Sequence, residues 1–212
     1  MRTVRVRLAA EYVLVFFVLV GGYAWLRPPG GPVPPLVLLC GAALWWLRRR
    51  PEFDRRDLWR WSAVRPALPR ILALWAVATA ATLVVVTLVE PQRLFQLPRQ
   101  EPLLWLAIMA FYPLVSVYPQ EVLFRAFLLH RYAPVFGSGW GVVAASAAAF
   151  GFAHIIFGNV IAVAATLVGG WMFARRYRRT HSLAAVCVEH ALYGVAIFTV
   201  GLGDLFYHGT SR

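Results

Sequence analysis

Lysine is absent from this 212-residue chain, so all 21 basic side chains are arginines, set against only 9 Asp and Glu. The net charge of +12 would suit a nucleic-acid partner if the arginines covered a soluble face. They cluster instead between apolar runs, which excludes nucleic acid and follows the positive-inside pattern of membrane proteins. Cysteine is scarce too. Cys40 and Cys187 both lie within apolar runs, so they form no disulfide or zinc framework and read as small buried residues. There is no His-Glu-x-x-His stretch, which disfavours a classical zinc protease, and no Gly-x-Ser-x-Gly elbow. Ser116 and Ser146 lie in apolar runs and keep a serine nucleophile open. No soluble domain, internal repeat or low-complexity tract is visible, and the lack of an inverted repeat weighs against a transporter.

What the chain does have is apolar length. Sixty per cent of its residues are hydrophobic (60%) and its mean hydropathy is +0.65. A soluble core of this size could not bury that much apolar surface, so lipid must be the solvent for much of it. The runs are continuous rather than alternating, which selects helices over a barrel. The expected fold is all-α: a polytopic transmembrane bundle of about seven spans, read from runs near 8–26, 33–47, 71–89, 103–132, 140–157, 160–173 and 182–202. Pro113 and Pro119 interrupt the fourth of these. Residues 1–102 supply N-terminal spans with a basic connector at 48–70, residues 103–203 form the core, and the whole is one membrane domain.

Seven spans with a cytoplasmic N-terminus put residues 48–70, 131 and 175–179 on the cytoplasmic side of a plasma membrane. The arginine-poor segments 27–32, 90–102 and 158–159, and then the C-terminus, fall outside. Membrane lipid, with anionic headgroups near the arginines, is the expected partner.

A charged group at membrane depth costs roughly 2.5–3.5 kcal/mol, so each such group needs a reason. Glu11 stands alone in the first run and reads as a carboxyl near the interface or kept neutral by burial. The second half is denser. Glu121 and Arg125 lie four residues apart on one helix face, just after Pro119. His154 follows Phe150 by one turn in the next run. Glu189 and His190 sit side by side in the last run, with Tyr193 and Gly194 one turn on. Three helices that each submerge ionisable groups point to one shared polar site. A carboxylate beside a histidine can polarise a water for attack on a peptide carbonyl, and a second histidine or a tyrosine can donate to the oxyanion.

These residues resemble the CPBP family of intramembrane proteases, which includes the CAAX endopeptidases and bacterial Abi proteins. The family pattern is Glu-Glu-x-x-x-Arg, Phe-x-x-x-His and His-x-x-x-Asn on successive helices. Gln120-Glu121-x-x-x-Arg125 lines up with the first, Phe150-x-x-x-His154 fits the second, and His190-x-x-x-Gly194 covers the third in part. The resemblance implies an endopeptidase acting on a membrane-associated or hydrophobic protein. Carried over by position, Gln120 stands where the water-activating Glu belongs, His154 is the paired base, and His190 is an oxyanion donor. Glu121 and Arg125 shape the site.

Two positions depart from the pattern. Gln120 cannot ionise, and Gly194 has no side chain to donate. Either Glu121 or Glu189 takes the base role, with Tyr193 as substitute donor, or the chain is a non-catalytic scaffold or binding protein that kept the fold. No cofactor is expected. A divalent metal such as zinc stays open, since His154, His190 and a glutamate are ligands of the usual kind, while Arg125 works against a cation.

Overall fold

The computed structural model describes residues 2–206, and among these every regular element is helical. Seven rods make the bundle: α1 (2–26), α2 (Val33–Arg48), α3 (Trp61–Val89), α4 (Pro102–Arg131), α5 (Trp140–Phe157), α6 (Val160–Thr180) and α7 (Leu183–Val200). By length and apolarity 4 of them, α3, α4, α5 and α7, can cross a membrane. α2 is shorter, and α6 carries Arg175, Arg176, Arg178 and Arg179 in its last turns. Large apolar side chains stand exposed on the outer faces, among them Trp25 at 87% and Leu103 at 80%, as a lipid-facing surface requires. The protein is a multi-pass helical membrane protein.

Local chemistry sets the helix ends. Pro102 opens α4 where a missing N–H costs nothing. The Asn159 side chain accepts the Ala162 amide at 2.7 Å to start α6, and Ser182 accepts that of Ala185 at 3.1 Å to start α7. Arg178 and Arg179 lie at the negative end of the α6 dipole. Gly158 (φ 69°) turns α5 into α6.

The prolines do not interrupt α4. The rod continues through them and absorbs the misfit in two π turns, Pro113–Val117 and Val122–Phe127. α5 and α6 pack closely because a glycine of each leaves room for the other helix. A Cβ on Gly170 would lie 3.0 Å from Ala147 Cα, and one on Gly151 would lie 2.4 Å from Leu167 Cγ. The core around α1 is aromatic: Tyr12 packs edge-on to Phe17, Tyr132 and Phe136 and donates to the Ala145 carbonyl at 2.8 Å.

Glu11 is not alone. Arg131 of α4 grips it with two bonds of 2.9 and 2.7 Å, and the Tyr132 hydroxyl adds a third at 3.1 Å. The basic connector is tied to the same end of the bundle as the α6–α7 turn. Arg60 donates to the His181 carbonyl at 3.0 Å and pairs with Asp57 at 2.6 Å, and the Ser182 hydroxyl donates to the Arg60 carbonyl at 2.8 Å. At the other end Arg93 pairs with Asp204 at 2.6 Å, and the Asn159 amide donates to the Leu205 carbonyl at 2.7 Å. The arginine-rich and arginine-poor connections therefore segregate to opposite ends. Residues 207–212, read as an outer tail, lie outside the described residues.

Candidate active site

Three residues of α4 at four-residue spacing, Tyr112, Ser116 and Gln120, line a cavity of about 580 Å³. α5 adds His154, α7 adds His190 and Tyr193, and α3 and α6 close it with apolar side chains such as Val77, Met172 and Phe173. Polar groups face apolar ones across the space, as in ligand sites generally.

Gln120, His154 and His190 are each held by a hydrogen bond. The Gln120 amide nitrogen donates to Ser116 Oγ at 2.7 Å, which leaves its amide oxygen for another donor. His154 Nδ1 lies 2.7 Å from the Phe150 carbonyl. A carbonyl only accepts, so Nδ1 carries a proton, and in the neutral ring Nε2 keeps its lone pair. His190 Nδ1 lies 2.7 Å from Glu121 Oε1, and its ring stacks on Phe173 at 4.8 Å with 19° between planes. Its Nε2 is 3.3 Å from the Tyr112 hydroxyl.

Glu121 lies one residue, hence about 100°, around the helix from Gln120 and points into protein rather than cavity. It and Arg125 are both at 0% side-chain exposure, with Arg125 Nε 3.0 Å from Oε2. Arg125 also donates to Ser146 Oγ at 3.0 Å and lies 4.5 Å over the Phe150 ring. Ser146 passes its own hydrogen to the Phe124 carbonyl at 2.7 Å, fully buried and off the cavity, so it is no nucleophile. Phe150 thus carries three duties: its carbonyl fixes His154, its ring covers Arg125, and its edge meets His190 at 5.6 Å.

The expected site residues divide. Gln120, His154, His190, Tyr193 and Phe150 meet at the cavity, and Glu121 and Arg125 back it. Glu189 does not join them. Arg176 of α6 clamps both its oxygens at 2.7 and 2.8 Å, beside Arg175 and Arg179, which fully accounts for a carboxylate at that depth. Among the described residues no three His, Cys, Asp or Glu side chains converge as a metal set would. Sequence reasoning missed Tyr112. Its four-residue spacing to Ser116 and Gln120 was the available signal, though a tyrosine in an apolar run ordinarily reads as packing.

Residues 101–196 match the family described as type II CAAX prenyl endopeptidase Rce1-like. This region is similar to CPBP-type proteins. It covers α4, α5, α6 and most of α7, the helices that bring every polar side chain to the cavity. Neither the curated proteins nor the solved structures gave a match to the chain. The Rce1-like family is one of membrane endopeptidases.

Proposed function

We propose that the protein hydrolyses a peptide bond of a hydrophobic or membrane-anchored protein inside this cavity, with His154 as general base. The observation that carries the reading is the His154–Phe150 hydrogen bond, which keeps the proton of the neutral imidazole on Nδ1 and so leaves Nε2 as the basic nitrogen of a side chain lining the cavity. A water accepted between His154 Nε2 and the Gln120 amide oxygen would give up its proton to His154 as its oxygen attacks the carbonyl carbon. When the carbon–nitrogen bond breaks, His154 returns that proton to the leaving amine. Gln120 orients the water without ionising, a weaker device than a carboxylate.

The apolar wall sets the substrate class. Val77 of α3 and Val168 of α6 line the cavity and are 70% and 63% exposed, so the space opens sideways between these helices toward lipid. An apolar chain reaches it there without crossing water. The arginines of the connector and of the end of α6 would rest on anionic headgroups, with the N-terminus cytoplasmic and the protein in the plasma membrane.

The test is cleavage of lipid-anchored and transmembrane peptides by the purified protein, read by mass spectrometry. His154→Ala should lower turnover by about 10²–10⁴-fold with the fold intact; turnover equal to wild type removes the reading. A second reading, a non-catalytic peptide-binding relative, is favoured by one observation: neither Glu121 nor Glu189 lines the cavity. Peptide binding without cleavage by wild type would support it.

A further inference from the structure

We infer that Tyr112 is the oxyanion donor of this site, filling from α4 the place left by the missing side chain at Gly194 of α7. The inference rests on the hydrolase reading above. A Cβ added at Gly194 would lie 2.3 Å from the Tyr112 hydroxyl oxygen and 2.3 Å from Cε1. The ring therefore occupies the volume where a side chain at 194 would begin. Gly194 is required here by contact with another helix, since its backbone is ordinary α-helix.

The hydroxyl occupies a chemically useful point. It lies 3.3 Å from His190 Nε2 on a residue lining the cavity, and the ring is held edge-on to Phe198 at 5.5 Å. Charge counting then decides which group can donate. Glu121 is already balanced by Arg125 at 3.0 Å, so a cationic His190 would leave this buried trio with an unpaired positive charge. His190 is therefore neutral, with its proton on Nδ1 toward Glu121 Oε1, and Nε2 can only accept. Of the pair, only Tyr112 brings a hydrogen. At rest that hydrogen is donated to His190. As the attacking water gives its proton to His154, the carbonyl π electrons move onto oxygen, and the hydroxyl turns about its carbon–oxygen bond to donate to that oxyanion. No proton leaves the tyrosine, and the donation ends when the carbonyl re-forms and the amine departs. His190 acts through Tyr112, as a positioning residue. The donor role that the family pattern places on the third motif has thus moved to another helix.

The experiment measures kcat, KM and thermal unfolding in detergent on one cleavable peptide for wild type, His154→Ala, Tyr112→Phe, Gly194→Asn and the double variant Tyr112→Ala/Gly194→Asn. Tyr112→Phe keeps the ring and removes only the donor. It should lower kcat by about 10²–10³-fold with KM and unfolding temperature unchanged. Gly194→Asn alone should lose activity and stability through the clash with the ring, and the double variant, with an amide in the vacated space, should regain activity above both Gly194→Asn and Tyr112→Phe. Wild-type kcat in Tyr112→Phe while His154→Ala is dead overturns the Tyr112 assignment and spares the hydrolase reading. An unfolding temperature that falls together with kcat in Tyr112→Phe also overturns it, because the role is then structural. Absence of cleavage by wild type overturns both.

Discussion

Glu121 ties together Arg125 and His190, yet it does not touch the cavity. It anchors Arg125 at 0% exposure and sets the His190 ring by a 2.7 Å bond. Glu121→Gln leaves Arg125 as an unbalanced buried charge, which costs about 3–5 kcal/mol. The expected result is a lowered unfolding temperature together with lost activity, unlike His154→Ala, where activity alone falls; detergent unfolding curves of the two variants separate the cases. Gln120 makes the opposite prediction. It lines the cavity and is half-buried, so Gln120→Glu puts an ionisable oxygen where the water is oriented. Turnover should rise by at least roughly tenfold and by no more than the 10²–10⁴-fold that a well-placed general base contributes, as read from initial cleavage rates.

The elements matter through their closeness and continuity. α5 and α6 can approach only because Gly151 and Gly170 expose backbone at the contact. A side chain at Gly170 would also press on the Phe150 ring, 3.2 Å from the added Cβ. Gly170→Val should therefore destabilise by about 1–3 kcal/mol and lower activity as well, since Phe150 holds both His154 and Arg125; unfolding and cleavage assays on the same preparation check this. In α4 the π turns keep the rod unbroken past Pro113 and Pro119. Tyr112, Ser116 and Gln120 consequently share a face while Glu121 and Arg125 share the next one. Prolines in a sequence signal a departure from regular geometry, but whether the helix breaks or widens depends on the neighbours that re-satisfy its backbone.

At the scale of the molecule, charge and contact agree. The connector, the α6–α7 turn and Arg131 gather at one end, and the arginine-poor loops at the other. Cysteines introduced by Arg55→Cys and Arg179→Cys, in a chain with Cys40 and Cys187 replaced by Ser, should label from one side of a sealed vesicle, and Arg99→Cys from the opposite side. The connector clamp has a pH signature. The Arg56 backbone amide, and after it the Arg60 guanidinium, hold the Asp54 carboxyl below its usual value of 3.8. A depressed carboxylate stabilises the fold above that value and loses its hold as pH falls through the lower folded one. Proteolysis of the connector should thus be unchanged between neutral pH and 4 and rise only below that.

The sequence by itself determined the solvent, the helical class, the approximate spans and three of the polar clusters. Those follow from apolar length, from the cost of charge in lipid and from arginine asymmetry, none of which needs coordinates. His154 and His190 were legible because a histidine in an apolar helix stands out. Only the tertiary structure decided which neighbours face which way. One residue of helix is about 100° of rotation, and this separates cavity-lining Gln120 from buried Glu121, and site-facing His190 from Glu189 clamped by Arg176. It also decided that Tyr112 fills the space beside Gly194, a fact of helix-to-helix approach between residues 82 positions apart that no local pattern encodes.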